Sequence, residues 1–142
     1  MTRGPRTWLA IAAGGVVGAW VRWLVFVVFD DLGWWRIGDQ FGMQPATLAV
    51  NIAGCGALGF ASRALQRERL RFAVTVGFCG ALTTMSTLAV DVVEILRLNA
   101  DSETWALAHL GLAVVGGVIA FVIGRQLGRR PVEGVAETVV GA

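Results

Sequence analysis

The sequence predicts an all-α membrane protein in which four helices span the bilayer and the third helix is broken. Of the 142 residues, 56% are hydrophobic and only 15% are charged, a balance typical of a chain surrounded by lipid. Four apolar runs alternate with polar connectors, and one run carries glycines and hydroxyl groups at its centre. Since backbone exposed to lipid must be hydrogen-bonded within its own segment, each run is expected to be helical.

The spans are predicted at 8–29, 45–61, 72–96 and 104–124, within a single membrane domain covering 1–142. The charged start resembles a signal peptide. However, Trp20, Arg22 and Trp23 follow the small residues of the first run, so we interpret this run as a retained span. Trp34 and Trp35 are expected at a membrane interface. The segment 125–142 is predicted to be a polar tail.

The basic residues are twelve arginines and no lysine, and their distribution predicts the orientation of the chain. Four spans place both termini and the second connector on one side of the membrane. Nine arginines fall on that side and three on the other. The positive-inside rule therefore predicts that both termini are cytoplasmic in a multi-pass plasma-membrane protein. The nine are Arg3, Arg6, Arg63, Arg67, Arg69, Arg71, Arg125, Arg129 and Arg130, and the three are Arg22, Arg36 and Arg97.

The centre of the third span reads GFCGALTTMST at 77–87. Four hydroxyls within five residues exceed what bonding back to the helix requires, so this stretch is expected to face protein or water. A break in the helix would free the carbonyls of Gly80 and Thr83. Freed carbonyls can bind a cation, and hydroxyls and amides can face an anion. We therefore favour a functional role over packing.

Two polar residues in the first two spans each have two interpretations. Arg22 can extend to the outer interface or set a positive potential near an anion pathway. Asn51 can bind an anion through its amide or link two helices, and the residues alone favour the link.

Near the other end of the bundle, Glu94 and Arg97 have a spacing that permits a helical ion pair, and Asp91 precedes them. An interfacial salt bridge is the expected role of these charges. His109 is either a proton carrier or, as is more common, a packed and hydrogen-bonded histidine, and no residue pairs with it locally in the way that a metal site requires. The sequence contains no nucleotide-binding loop, metalloprotease motif or nucleophile elbow, so no enzyme activity is predicted.

Three segments, GGVVGAWVRW at 14–23, ATLAVNIAG at 46–54 and GFCGALTTMSTL at 77–88, resemble the CrcB/Fluc fluoride channel family in order and spacing. The resemblance implies a passive fluoride channel that reduces fluoride toxicity, built as a dimer of oppositely oriented subunits with two pores and a central structural sodium ion. It implies that Gly80 and Thr83 give carbonyls to the sodium and that Asn51 offers its amide to fluoride. The residues it assigns to the anion pathway are Arg22, Asn51, Thr84, Met85, Ser86, Thr87, Leu88 and His109.

The sequence departs from that family at its aromatic positions. Met85 and Leu88 stand where the family has phenylalanine, whose ring edges carry partial positive charge. His109 and Ala113 stand where it usually has tyrosine and serine. A homodimer of opposed subunits also requires a weak arginine bias, whereas this chain has a strong one. We therefore hypothesise a heterodimer with a second, oppositely biased homologous subunit that supplies the missing pore residues.

Two alternatives remain open at this stage. A small-multidrug-type proton-coupled exporter also has four short spans, but it needs an embedded carboxylate in its first span, and none occurs at 8–29. A structural subunit of a heterodimeric channel that itself conducts nothing is compatible with the substituted aromatic positions. Under each of these interpretations we expect the protein to contact membrane lipid and not to bind nucleic acid.

Overall fold

The computed structural model describes residues 4–33, 44–98 and 102–129. Arg3, Arg36, the predicted interfacial Trp34 and Trp35, and residues 130–142 of the predicted tail lie outside these ranges. The described elements are all helical: α1 (Pro5–Asp31), α2 (Pro45–Ala64), α3 (Glu68–Phe72), a π-helical segment (Ala73–Phe78), α4 (Cys79–Leu82), α5 (Met85–Leu98) and α6 (Ser102–Leu127).

Four stretches of helix are long and apolar enough to cross a membrane: Pro5–Asp31, Pro45–Ala64, Glu68–Arg97 and Glu103–Leu127. The 27 residues of α1 correspond to a length of about 40 Å, more than the hydrocarbon core requires. The predicted all-α fold with four membrane helices is therefore confirmed. The antiparallel dimer stays a prediction.

Helix α2 makes its most extensive contact with α6, and small residues bring the two backbones together. A Cβ atom on Gly124 would collide with the backbone carbonyl of Gly56, and one on Gly59 would collide with that of Phe121. Lipid gives little hydrophobic drive for helices to associate, so close backbone approach of this kind is a main source of packing energy. Helices α2 and α6 therefore form the most extensively packed pair of the bundle.

Helix α1 packs mainly against the π-helical segment. Gly18 is buried there, and a Cβ atom at this position would collide with the backbone of Phe78. The outer surface of α1 is apolar, and Trp8, Trp20 and Trp23 are exposed on it. Because π-helical turns widen a helix locally, the segment shifts the register of the third span just before its break.

The third span breaks at Thr83 and Thr84, as the sequence predicts. Thr83 has an extended backbone (φ −76°, ψ 153°), and a new helix begins at Met85. The side chain of Thr83 approaches α2 at Gly54, where a Cβ atom would collide with its methyl group. The absence of a side chain at Gly54 thus allows the break to lie directly against α2.

Candidate functional site

The amide of Asn51 holds the break in place. Its Oδ1 accepts a hydrogen bond from the backbone N–H of Thr84 (2.7 Å), and its Nδ2 donates to the carbonyl of Thr84 (3.1 Å). One side chain on α2 therefore pairs both backbone groups of a residue outside the helical hydrogen-bonding pattern. The interpretation of Asn51 as a link between helices is consistent with this geometry. An amide nitrogen carries two hydrogens, so Nδ2 retains a second donor.

The same bonds change the environment of the carbonyls before the break. In a continuous helix the N–H of Thr84 would donate to the carbonyl of Gly80, but here it donates to Asn51. Thr83 donates to the carbonyl of Cys79 through both its N–H (3.1 Å) and its hydroxyl (3.0 Å). The extended ψ of Thr83 turns its own carbonyl away from the helical direction. Gly80 is exposed and Thr83 is half-buried.

The hydroxyl of Thr84 caps the N-terminus of helix α5. Its Oγ1 accepts from the backbone N–H of Thr87 (3.2 Å), which is the N-cap arrangement that satisfies a free donor in the first turn. The same oxygen lies 2.9 Å from Thr87 Oγ1 and 3.3 Å from Ser86 Oγ. The predicted hydroxyl cluster therefore exists, and its centre is the buried Thr84.

A groove with a volume of about 440 Å³ runs from this break along α2 and α6. Four of the sequence-predicted site residues line it, namely Asn51, Thr83, Met85 and Leu88. Met85 is 75% exposed, whereas Leu88 is 4% exposed, so the methionine presents most of its side chain to lipid or a second subunit. The other lining residues are Cys55, Leu58, Ala113, Val114, Gly117, Val118 and Phe121.

The structure does not bring every predicted residue to this groove. Arg22 is half-buried on α1, one turn beyond Gly18, and does not line the groove. Thr84, Ser86 and Thr87 form the hydroxyl cluster and are not among the residues that line the groove. His109 lies one turn before Ala113 on α6 and is 1% exposed.

His109 is packed inside the bundle, the more common of its two expected roles, although its imidazole makes no hydrogen bond among the described residues. Its Nε2 lies 3.4 Å from Oδ2 of Asp91 on α5, and Asp91 is also 1% exposed. The interfacial role expected for Asp91 is wrong, because this carboxylate is buried against α6. Glu94 and Arg97 are both exposed and form no ion pair with each other among the described residues. The pairing depends on how α5 and α6 are rotated, and sequence spacing within one helix carries no signal for it.

The family model described as "CrcB-like protein, Camphor Resistance (CrcB)" matches residues 9–125. That range includes the break, the groove and the Asp91–His109 pair.

Individual relatives agree with the family match. The chain is 37% identical over 127 residues to a protein of Chlorobium phaeobacteroides named "Fluoride-specific ion channel FluC", covering 85% of this chain and 91% of the relative. It is 40% identical over 126 residues to "Fluoride-specific ion channel FluC 2" of Symbiobacterium thermophilum, covering 84% and 95%. A protein from Acinetobacter baumannii strain ACICU, with the first of these names, is 34% identical over 123 residues, covering 82% and 88%.

Proposed function

Since this chain belongs to the CrcB-like protein family, we propose that it is a subunit of a plasma-membrane channel through which fluoride leaves the cytoplasm passively. Its relatives are named as fluoride-specific ion channels, which supports this function over a proton-coupled exporter. The observation that carries the proposal is the position of Asn51, which is bonded to the break in the third span and also lines the groove. The protein then catalyses no reaction.

The chemistry of the groove suits a small anion at one place only. Fluoride is strongly hydrated, so a pore must replace its water with several close donors. The second N–H of Asn51 is such a donor, and the hydroxyls of Ser86 and Thr87, which contact the hydroxyl of Thr84, are further candidates. Most other lining residues are apolar. We assign the anion pathway to the break, with Asn51 as its principal donor and Met85 and Leu88 as its walls.

We also propose a structural sodium ion at the break. Sodium prefers oxygen ligands, and the carbonyls of Gly80 and Thr83 both lie outside the regular helical pattern. Bound sodium would supply a positive charge that holds the broken helix of two subunits together. The proposal predicts that the assembled protein unfolds at a higher temperature in sodium than in an equal concentration of N-methylglucamine. Equal unfolding temperatures would refute a stabilising sodium site.

The second subunit is part of the proposal. Nine arginines on one side of the chain against three on the other favour a single orientation with both termini in the cytoplasm. An antiparallel dimer then requires a homologous subunit that inserts the opposite way and contributes ring edges where this chain has Met85 and Leu88. A dimer of identical chains requires that some copies insert against the arginine bias.

Fluoride efflux from loaded vesicles tests both parts. The chain is reconstituted alone and together with an oppositely biased four-span homologue, and released fluoride is followed with a selective electrode. We expect efflux only from vesicles that contain both chains. Efflux from the chain alone would refute the obligate heterodimer, and the absence of efflux in every combination would refute the channel.

A further inference from the structure

We propose that Asp91 and His109 form a proton-binding site at one end of the groove and that loss of its proton slows the passage of anions through the groove. This inference rests on the proposed function, because it concerns the passage of an anion. The ligand of the site is a proton shared by a carboxylate and an imidazole. The pair is not part of the break at Thr83 and Thr84.

The first observation is that both groups are buried and unsatisfied. Each side chain is 1% exposed, and neither oxygen of Asp91 nor either nitrogen of His109 has a hydrogen bond within the part of the chain that the structure describes. Burying unpaired polar groups in an apolar setting is costly, and ionisable groups within membrane helices generally serve a function. The two groups face each other at 3.4 Å, a separation that a small movement would close to a hydrogen bond.

The second observation is the location of the pair relative to the groove. Asp91 lies three residues after Leu88 on α5, and His109 lies four residues before Ala113 on α6. Leu88 and Ala113 both line the groove, and helical residues three or four apart share a face. The pair therefore continues the two walls of the groove by one turn, toward the C-terminal end of α5 and the N-terminal end of α6.

The other charged side chains described on α5 and α6 are exposed and are not buried beside this pair. On α5, Glu94 and Arg97 are exposed, and on α6, Glu103 is exposed in the first turn. On α2, which packs against α6, the first titratable residue is Cys55, midway along the helix. The first turn of α2 carries no charge. It contains Thr47, which is fully buried and whose hydroxyl has no hydrogen bond among the described residues.

The net charge of the pair decides its effect on an anion. With one proton held between them, the carboxylate and the imidazole carry no net charge. When that proton is released to water, the pair carries one negative charge. A unit charge about 10 Å from the anion, at an effective dielectric constant of about 20, opposes its passage by on the order of tenfold in rate. Fluoride flux should therefore fall as the pH rises.

The flux experiment uses the assembly that conducts in the vesicle assay, measured at about pH 6 and at about pH 9, values that bracket the ordinary titration range of histidine. We expect wild-type flux to fall on the order of tenfold between them. Asp91→Asn combined with His109→Gln removes both groups that hold the proton, so the flux of this double variant should be nearly independent of pH. The matched control is Glu94→Gln, which removes an exposed carboxylate one turn away and should retain the wild-type pH dependence. Equal pH dependence in wild type and in this double variant would overturn the proposal.

A second measurement does not depend on conduction. His109 is the chain's single histidine, so the imidazole 15N signal of the tag-free protein reports on this site without assignment. If the two groups share a proton, His109 should titrate at a different pH in Asp91→Asn than in wild type, and Glu94→Gln should match wild type. Identical titrations in all three proteins would overturn the shared site.

The two measurements separate this proposal from the proposed function. Altered titration with no fluoride flux at any pH would refute the channel and the effect of the pair on anions, while the proton site would stand. Flux that is present and independent of pH, with identical titrations, would refute the proton site and leave the channel intact.

Discussion

Two polar centres lie about two turns apart along α5, and they differ in whether their buried polar groups are hydrogen-bonded. At the break, Asn51 bonds both backbone groups of Thr84, and the Thr84 hydroxyl caps the next helix. At the second centre, Asp91 and His109 are buried together without a hydrogen bond within the described residues. A satisfied centre fixes the architecture, whereas an unsatisfied one retains capacity for a proton or a ligand.

The largest stability effect should come from breaking the satisfied centre. Asn51→Ala leaves the N–H and the carbonyl of Thr84 without their partner, and each unpaired group costs about 1 to 3 kcal/mol. We expect a loss of about 2 to 5 kcal/mol in the free energy of unfolding, measured by denaturant titration in detergent. Gln126→Ala removes an exposed amide on α6 and is the control. A loss below about 1 kcal/mol in Asn51→Ala would contradict the role of Asn51.

A smaller loss is expected where the break touches α2. Gly54→Ala places a methyl group against the Thr83 side chain, and overpacking of this kind costs about 1 to 3 kcal/mol. Gly111→Ala is the matched control, since a Cβ atom there meets nothing within 4 Å. Thermal unfolding of both variants measures the difference. Equal stability of the two would show that the close approach at Gly54 has no energetic importance.

Removing the helix cap should cost less again. Thr84→Val retains the shape of the side chain but loses the hydroxyl that accepts from the N–H of Thr87, and an N-cap contributes about 1 kcal/mol. Ser86→Ala loses only a 3.3 Å contact with the same oxygen and should change stability by less than about 0.5 kcal/mol. If Ser86→Ala were the more destabilising of the two, the cluster would not be organised around Thr84.

The smallest stability effect is predicted at the unsatisfied centre. Replacing both members with apolar residues, Asp91→Val with His109→Leu, removes two groups that have no hydrogen bond to lose. Such replacements of buried ionic pairs are often neutral or stabilising by about 1 to 4 kcal/mol. We expect the double variant to unfold at or above the wild-type denaturant midpoint. A double variant as unstable as Asn51→Ala would mean that the pair has a structural role after all.

The sequence was sufficient for the features that depend on local composition. Apolar runs predicted the four membrane helices, and hydroxyls with glycines predicted the break at Thr83 and Thr84. It was insufficient where helix rotation decides contacts. Asp91 and His109 belong to different helices, and neither has a neighbour in sequence that indicates the other. The sequence analysis also missed the π-helical segment. This segment lies where Gly18 of α1 packs against Phe78, and no residue type in the sequence indicates that contact.

The two polar centres also affect which anions the groove selects. Fluoride would meet the donors of the satisfied centre and the charge of the unsatisfied one within the same groove. The first offers a fixed N–H from Asn51, and the second changes its charge with pH. An anion that is larger and more weakly hydrated gains less from one fixed donor in a narrow conduit, so chloride should be excluded.

The central claim is tested most directly by loading vesicles that contain the assembled protein with fluoride and chloride together and measuring the release of each. The account predicts rapid loss of fluoride while chloride is retained, and slower loss of fluoride in Asn51→Ala after correction for the amount of folded protein. Release of both anions at similar rates, or fluoride release that is unchanged in Asn51→Ala, would contradict it.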